Sequence, residues 1–490
     1  MNQYKNISMS DNKDTSIDLK SNEACFLQRL VELNLKDERN TSLIVYPLYT
    51  IVTVIILARM AGCNNSRTQR LFWQKNKKQL QSLIYGLGDE VPSEQTIRRV
   101  VALVKEDETV KFLSEYFVSH RENILKPLGS VPLAQREVIA ADGQNIRATR
   151  SSKDGNDSRK SGGYDVVSLF SSTYGVTLCQ RTVDKKNNEA LAIMEMIKDL
   201  NLANSILTWD AINTRAATLK AVTEADADFL VCLKSNQGYL YEEVCDSFTF
   251  ADADRYLGEV LSSKRVSSDH GRIEEKEITI LDAEHGLSKE MQRKWPYIKS
   301  LIRVNTTRTY KCSGVSNTDD VESRYFVSSI ITDGLDKSFA GTIHDIILAR
   351  WQIESRHWVI DVAFDQDRLP LRNQDYIRNS TVYTKMACNV LSYIRDNVPL
   401  YQSKPWSFDS LQMLASDVEY GFMFLKAFFT QDMSEIENDE RFIGLFYKEP
   451  EPTGNDVPDN LEVNGFENTI SDDTPLGRFA RTRKKIKRKR

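Results

Sequence analysis

The chain contains no CxxC pair, no phosphate loop of the GxxxxGKS or GxxxxGKT kind, no GxGxxG, no HExxH and no GxSxG. Each absence removes a chemistry. Without the glycine-rich loops, nucleotide phosphates lose their usual backbone cradle; without the other two, zinc-protease and serine-hydrolase constellations have no footing. The seven cysteines (Cys25, Cys63, Cys179, Cys232, Cys245, Cys312 and Cys388) are scattered and odd in number. That pattern fits reduced thiols in a cytoplasmic protein and argues against a thiolate metal site. His270 and His357 have the most suggestive neighbours of the five histidines. Neither has a second histidine at zinc-ligand spacing, so a structural or phosphate-contacting role is expected of them. The opening MNQYKNISMSDNKD lacks the apolar core of a secretory signal.

Charge of one sign is also missing. The balance of 65 basic and 69 acidic residues gives −4, which on its face argues against a nucleic-acid binder, although regions can differ in sign. They do: the chain ends in RTRKKIKRKR, after a segment from Glu449 to Asp473 rich in Asp, Glu, Asn, Pro and Gly. Residues 449–490 are read as a disordered tail, acidic then basic, either solvated or in contact with phosphate. The chain has one long apolar run, SLIVYPLYTIVTVIILARMAG (42–62), uncharged before Arg59. Pro47 is placed to open a helix there, leaving a segment short for a bilayer, so a buried core helix is expected rather than a membrane span.

What is present is a long chain, 490 residues, enough for two or three domains. Residues 1–22 are polar and expected to be disordered. From 23 to 131 the apolar spacing is helical. LGDEVP separates two helices that could form a helix-turn-helix, with Ser93 as N-cap and Arg98 and Arg99 on the second. The first of the pair carries Arg67, Arg70, Lys75, Lys77 and Lys78 around Phe72 and Trp73, an interleaving suited to a phosphate backbone but equally to a solvated amphipathic face. After Val131 come three strand-like runs, REVIAADG, YDVVSLFSS and GVTLCQRTV, with Tyr174-Gly175 as a hairpin turn. Then follow a helix, a strand ending in SILTWDA, a helix and the strand DFLVCLK. Three strands followed by αβαβ predict a mixed sheet covered by helices, an α/β fold. Residues 254–330 read as a β-rich insertion. A long helical pattern starts near Ser338 and contains ARWQIESRHW. Residues 401–448 are read as a C-terminal helical segment.

Asp142 ends an apolar run and is followed by Gly, so it is either a turn residue or a positioned acid. Asp142 and Asp210 fall at the C-terminal ends of two expected strands of one sheet, the edge where open α/β sheets place ligands. Glu354 lies on the late helix, four residues after Arg350. Three convergent carboxylates would form an all-oxygen site for Mg²⁺ or Mn²⁺, and two such ions serve in-line displacement at phosphorus. Strand-end capping and an Arg350–Glu354 ion pair are the plainer alternatives.

The ordered blocks VIAADGQNIR, DVVSLFSSTYGVTLCQRTVDKKNNEALAIMEMI, ILTWDAINT, DFLVCLKSNQG, DHGRIEEKEI, SRYFVSSI and ARWQIESRHWVIDVAFDQDRLPLR resemble the DDE transposases of bacterial insertion sequences. The resemblance is to the branch that includes the H-repeat-associated proteins. PLYTIVTVIILARMAG and VPSEQTIRRV resemble the N-terminal domain associated with that family. The resemblance implies a ribonuclease H-like catalytic domain (132–400) with the β-rich insertion at about 254–330, preceded by an all-helical DNA-binding domain (23–131). It implies that Asp142, Asp210 and Glu354 are the catalytic acids, holding Mg²⁺ or Mn²⁺ as two ions. Lys234, Asn236, Gln237, Arg350 and His357 are the expected phosphate contacts, with Arg98 and Arg99 on the terminal repeats. The implied partners are double-stranded DNA, as terminal inverted repeats and target, and a second copy of the chain, with no membrane. The implied activity is phosphodiester hydrolysis at element ends followed by strand transfer. A non-catalytic DNA-binding descendant is the alternative. Departures from the family are Gln144 for a Lys, AINT after the second acid, Arg350 for a His, Ile347 and Asp361 for a Tyr and a Lys, and an IESRHW shorter by one residue. One helical residue is a rotation of about 100°, which would carry His357 and Asp361 to another face.

Overall fold

In a computed structural model the described residues are 31, 34–84, 86–118, 126–146, 164–183, 188–269, 272–312, 315–318, 321–332, 337–366, 373–398 and 406–441. The expected loose ends 1–22 and 449–490, and His270, lie outside them. The N-terminal helices are α1 (Leu48–Met60), α2 (Ser66–Lys75), α3 (Lys77–Leu83), α4 (Glu94–Leu103) and α5 (Glu106–Val118). Pro47 stands at the N-cap of α1, and Ser93 Oγ accepts from the Thr96 N–H at the start of α4. Twelve of the thirteen residues of α1 are buried, which accounts for a helix apolar on every side. No helix among the described residues is long and apolar enough to cross a membrane.

The sheet has ten strands: β1 (Glu137–Ile146), β2 (Tyr164–Ser171), β3 (Val176–Val183), β4 (Ser205–Thr208), β5 (Asp228–Leu233), β6 (Val260–Asp269), β7 (Arg272–Asp282), β8 (Ser300–Cys312), β9 (Val315–Thr318) and β10 (Glu322–Ser328). Their order is β3-β2-β1-β4-β5-β10-β8-β7-β6, with β9 beside β8. β1, β2 and β3 pair antiparallel, whereas β4 runs parallel to both β1 and β5. Gly175 has φ +69° in the β2–β3 turn, a conformation glycine adopts without strain. Helices α6 (Glu189–Asp199) and α7 (Ala216–Glu224) supply the crossovers, and α8 (Tyr239–Asp252) follows β5. The β-rich insertion continues the main sheet: β10 pairs antiparallel with β5, from Tyr325↔Leu233 to Ser328↔Leu230.

The late helical pattern is divided at Arg350 into α9 (Lys337–Ala349) and α10 (Trp351–Ala363), followed by α11 (Gln374–Asn397), α12 (Phe408–Ala415) and α13 (Val418–Thr430). Along β1 the alternation of strand side chains sorts the core. Ile139 and Ala141 belong to the large cluster shared with α6 and the N-terminal helices. Val138 joins the cluster under α9, and Ala140 packs with Phe170 and Ile353 of α10. Helix α11 is buried over most of its length and touches α1, α4, α5, α13 and β3. Asn379 Nδ2 donates to the Val101 and Val104 carbonyls at the end of α4, at 2.7 and 2.8 Å, and the Arg59 guanidinium reaches Ser380 and Thr384.

Candidate active site

The register of the central strands brings the two aspartates level. β1 and β4 pair in parallel as far as Ala140↔Thr208, so Asp142 and Asp210 each stand two residues beyond the last pair. Asp142 is within β1 rather than at its end, because the antiparallel partner β2 continues to Tyr164 while β4 stops. It faces the same side as Ala140, the side on which Ile353 seats the first turn of α10 and with it Glu354.

Around these three acids the positive charge comes from Arg350, Lys234 and, beside Glu354, Arg324. Arg350 Nη1 is 3.9 Å from Glu354 Oε1, its guanidinium lies 4.4 Å over the Trp351 ring, and its field lowers the pKa of Asp142, Asp210 and Glu354 alike. Burial nevertheless pushes Asp142 up to about 7, helped by the negative charges of Glu354 and Glu189. Burial, with Asp210 adding to it, also raises Glu354. Asp210 goes the other way: burial would raise it, but Lys234, at 2.9 and 3.1 Å from its two oxygens, holds it below the usual carboxylate range. As placed, no three His, Cys, Asp or Glu side chains among the described residues are gathered closely enough to hold a metal ion. Asp142, Asp210 and Glu354 offer only carboxylate oxygens, and burial raises two of them toward the protonated state, a balance that a divalent cation beside them would reverse.

His357 Nδ1 is 3.6 Å from Asp142 Oδ2. The imidazole side of this contact is neutral, since burial, with Lys385 and Arg356 nearby, drives the ring down to about 3. Lys385 Nζ is 2.6 Å from Ser168 Oγ, the residue opposite Asp142 on β2, and burial pushes it down to about 7. Asp361 accepts from Gln144 Nε2 at 2.8 Å. His357 and Asp361 therefore both face β1, and two of the departures from the family pattern, Gln144 and Asp361, are partners.

Asn236 and Gln237 direct their amide donors to the Ala211 carbonyl, at 3.2 and 2.6 Å, so they fasten the turn after Asp210 and have those donors engaged. Arg98 and Arg99 lie on the exposed side of α4, far along the chain from the acids, with Arg98 tied to Glu94 and Ser66. Phe72 and Trp73 are buried, so the aromatics of the basic helix belong to the core while Arg67, Lys75 and Lys78 stay exposed. Beside these residues Asn213 Nδ2 donates to Glu189 Oε2 at 3.0 Å, a contact that the sequence does not signal, since the first reads as a turn residue and the second as an ordinary helix-start acid.

Residues 133–390 match the family model described as transposase DDE domain, and residues 33–117 match a second, described as DDE_Tnp_1-associated. The "Putative transposase YncI" of Escherichia coli O157:H7 is 27% identical over 368 residues, 74% of this chain and 86% of that protein. The "H repeat-associated putative transposase YhhI" of Escherichia coli strain K12 is 24% identical over 358 residues, 73% and 88% of the two chains. Among solved structures, a piggyBac transposase synaptic complex with hairpin DNA overlays with TM-score 0.32 at 11% identity, covering 90% of this chain and 84% of that one. That likeness is too loose to bear on the fold.

Proposed function

The chain belongs to the transposase DDE domain family, in the branch of the H-repeat-associated proteins, and from that membership we propose how its residues act as an insertion-sequence transposase. The single observation that carries the proposal is the level placement of Asp142 and Asp210 past the Ala140↔Thr208 pair, with Glu354 brought to the same face by α10.

Asp142, Asp210 and Glu354 are the residues that would hold divalent metal, Mg²⁺ or Mn²⁺, as two ions. When bound, such ions activate the attacking oxygen and stabilise the leaving one. The chain's own residues supply the rest. Arg350, fixed by stacking on Trp351, tempers the repulsion among the acids. Lys234, released from Asp210, is free to hold a phosphate oxygen. His357 stands beside the Asp142 carboxylate as a neutral ring that limits its rotation. Water attacks phosphorus at the element end and the 3′-oxygen leaves. That 3′-hydroxyl then attacks target DNA, so one phosphodiester is exchanged for another.

The order β3-β2-β1-β4-β5 with α6 and α7 as crossovers supports a ribonuclease H-like core within 132–400, carrying β6 to β10 as its insertion. The helices within 23–131 take the terminal inverted repeats, with Arg98 and Arg99 on the exposed face of α4. Two copies act together, because two ends must be joined. The test is excision from a donor DNA carrying the flanking repeats in Mg²⁺. Cutting by the native chain and none by Asp210→Asn is expected. Specific repeat binding by both with cutting by neither sinks the catalytic reading.

A further inference from the structure

The three acids leave a fourth carboxylate beside them unaccounted for. Glu189 opens α6 and is 8% exposed, an unusual burial for a glutamate. At the start of a helix an acid is normally stabilised by the exposed amides of the first turn. Glu189 reaches elsewhere: its Oε2 accepts a 3.0 Å hydrogen bond from Nδ2 of Asn213, which is itself buried and lies in the turn that directly follows Asp210.

The other side of the same carboxylate rests on β1. A Cβ built on Gly143 would stand 2.6 Å from Glu189 Oε1 and 2.9 Å from its Cδ, so any larger residue next to Asp142 would push the carboxylate from its present place. Strand alternation turns position 143 away from the face of Asp142, so Glu189 lies behind the first acid and spans from its strand to the loop of the second. Its negative charge is felt at Asp142.

We propose that Glu189 is a positioning residue of the metal site, clamping the backbone that carries Asp142 to the loop that carries Asp210 and adding its charge to the field that draws a divalent cation to them. This rests on the three-acid reading of the site. Supporting carboxylates of this kind change metal affinity by roughly 10–100-fold when removed.

The experiment is Mn²⁺ binding to the full chain without DNA, read by the electron paramagnetic resonance of free Mn²⁺, beside thermal unfolding of each variant. Glu189→Gln keeps the shape and an oxygen for Asn213 but loses the charge, so a loss of about 10-fold or more in Mn²⁺ affinity with the fold retained is expected. Gly143→Ala displaces the carboxylate without removing it and shifts affinity the same way. Native-like affinity in Glu189→Gln, while Asp142→Asn binds weakly, overturns the proposal and leaves the three acids standing. Native-like affinity in Asp142→Asn as well overturns the three-acid reading and the proposal with it. Should Glu189→Gln fail to fold, Gly143→Ala decides: unchanged Mn²⁺ binding there overturns the clamp.

Discussion

Lys234 Nζ bridges both oxygens of Asp210, at 2.9 and 3.1 Å, and so occupies the cation position on the second acid. The ammonium and a divalent ion compete for the same carboxylate. Replacing Lys234 by Met is expected to raise Mn²⁺ affinity severalfold in the absence of DNA, yet to slow strand cleavage by roughly 10²-fold, since a cation facing the phosphate is lost. Parallel Mn²⁺ titration and single-turnover cleavage check it; a loss in both would make Lys234 a structural partner only.

Asp142 carries the opposite strain. Its folded pKa of about 7 is above the ordinary value of 3.8, so between those values the folded state holds a proton that the unfolded chain releases, and stability falls as pH rises through that window. In chelator, Asp142→Asn should therefore unfold at a higher temperature than the native chain at pH 8 and at the same temperature near pH 4. For scale, relief of 1 kcal/mol raises the midpoint by roughly 2–4 °C in chains of about 150–250 residues. An unchanged midpoint at pH 8 would mean that the carboxylate is solvated in the folded chain.

Glu274 on β7 tests the insertion. Although burial opposes it, Lys276 and Arg308, with Arg272 adding to them, hold its carboxyl down to about 2. A folded value below the unfolded 4.5 means the stabilisation is complete above pH 4.5 and is lost as pH falls toward 2. Glu274→Gln should cost about 1–3 kcal/mol at pH 7 and almost nothing at pH 2.5. Denaturant melts at the two pH values measure the difference.

Asn379 tests the seam between the N-terminal helices and the rest. With Asn379→Leu, the Val101 and Val104 carbonyls lose the Nδ2 donor they share, a loss of about 2–3 kcal/mol if no water replaces it. Hydrogen exchange should accelerate across 94–104 while the amides of β1 and β4 keep their protection. Uniform acceleration everywhere would indicate one cooperative unit instead.

Most of the layered architecture was legible because each element obeys its own period. The apolar runs of β1, β2, β3 and β5 and the intervening helices stand where residue spacing puts them. The join between insertion and sheet was not, since the pairing of Tyr325 with Leu233 depends on hydrogen bonds between residues 92 apart in the chain, which no local pattern encodes. Arg350 and Glu354 were readable as a pair from their four-residue spacing, and they are 3.9 Å apart. Asn236 and Gln237 suggest phosphate ligands by type, and in the fold each also gives an amide hydrogen to the Ala211 carbonyl, a backbone acceptor that cannot be seen in a string of residues. Glu189 was hidden for the converse reason: nothing local distinguishes it from a solvated helix-start acid until α6 is packed against Gly143.

The docking of α1 against α11 sets a timetable for synthesis. Residue 60 leaves the ribosome about 310 residues before residue 374, which at roughly 5–20 residues per second is a delay of about 15–60 s. For that interval a thirteen-residue helix, apolar on all sides, has no permanent lodging. The nascent chain must shelter it, by provisional association with α4 and α5 or by a chaperone, until α11 arrives and, later still, α12 and α13, which also pack on it. Slow translation across the sheet would lengthen the exposure, making yield of folded protein sensitive to the pace of decoding between these two helices.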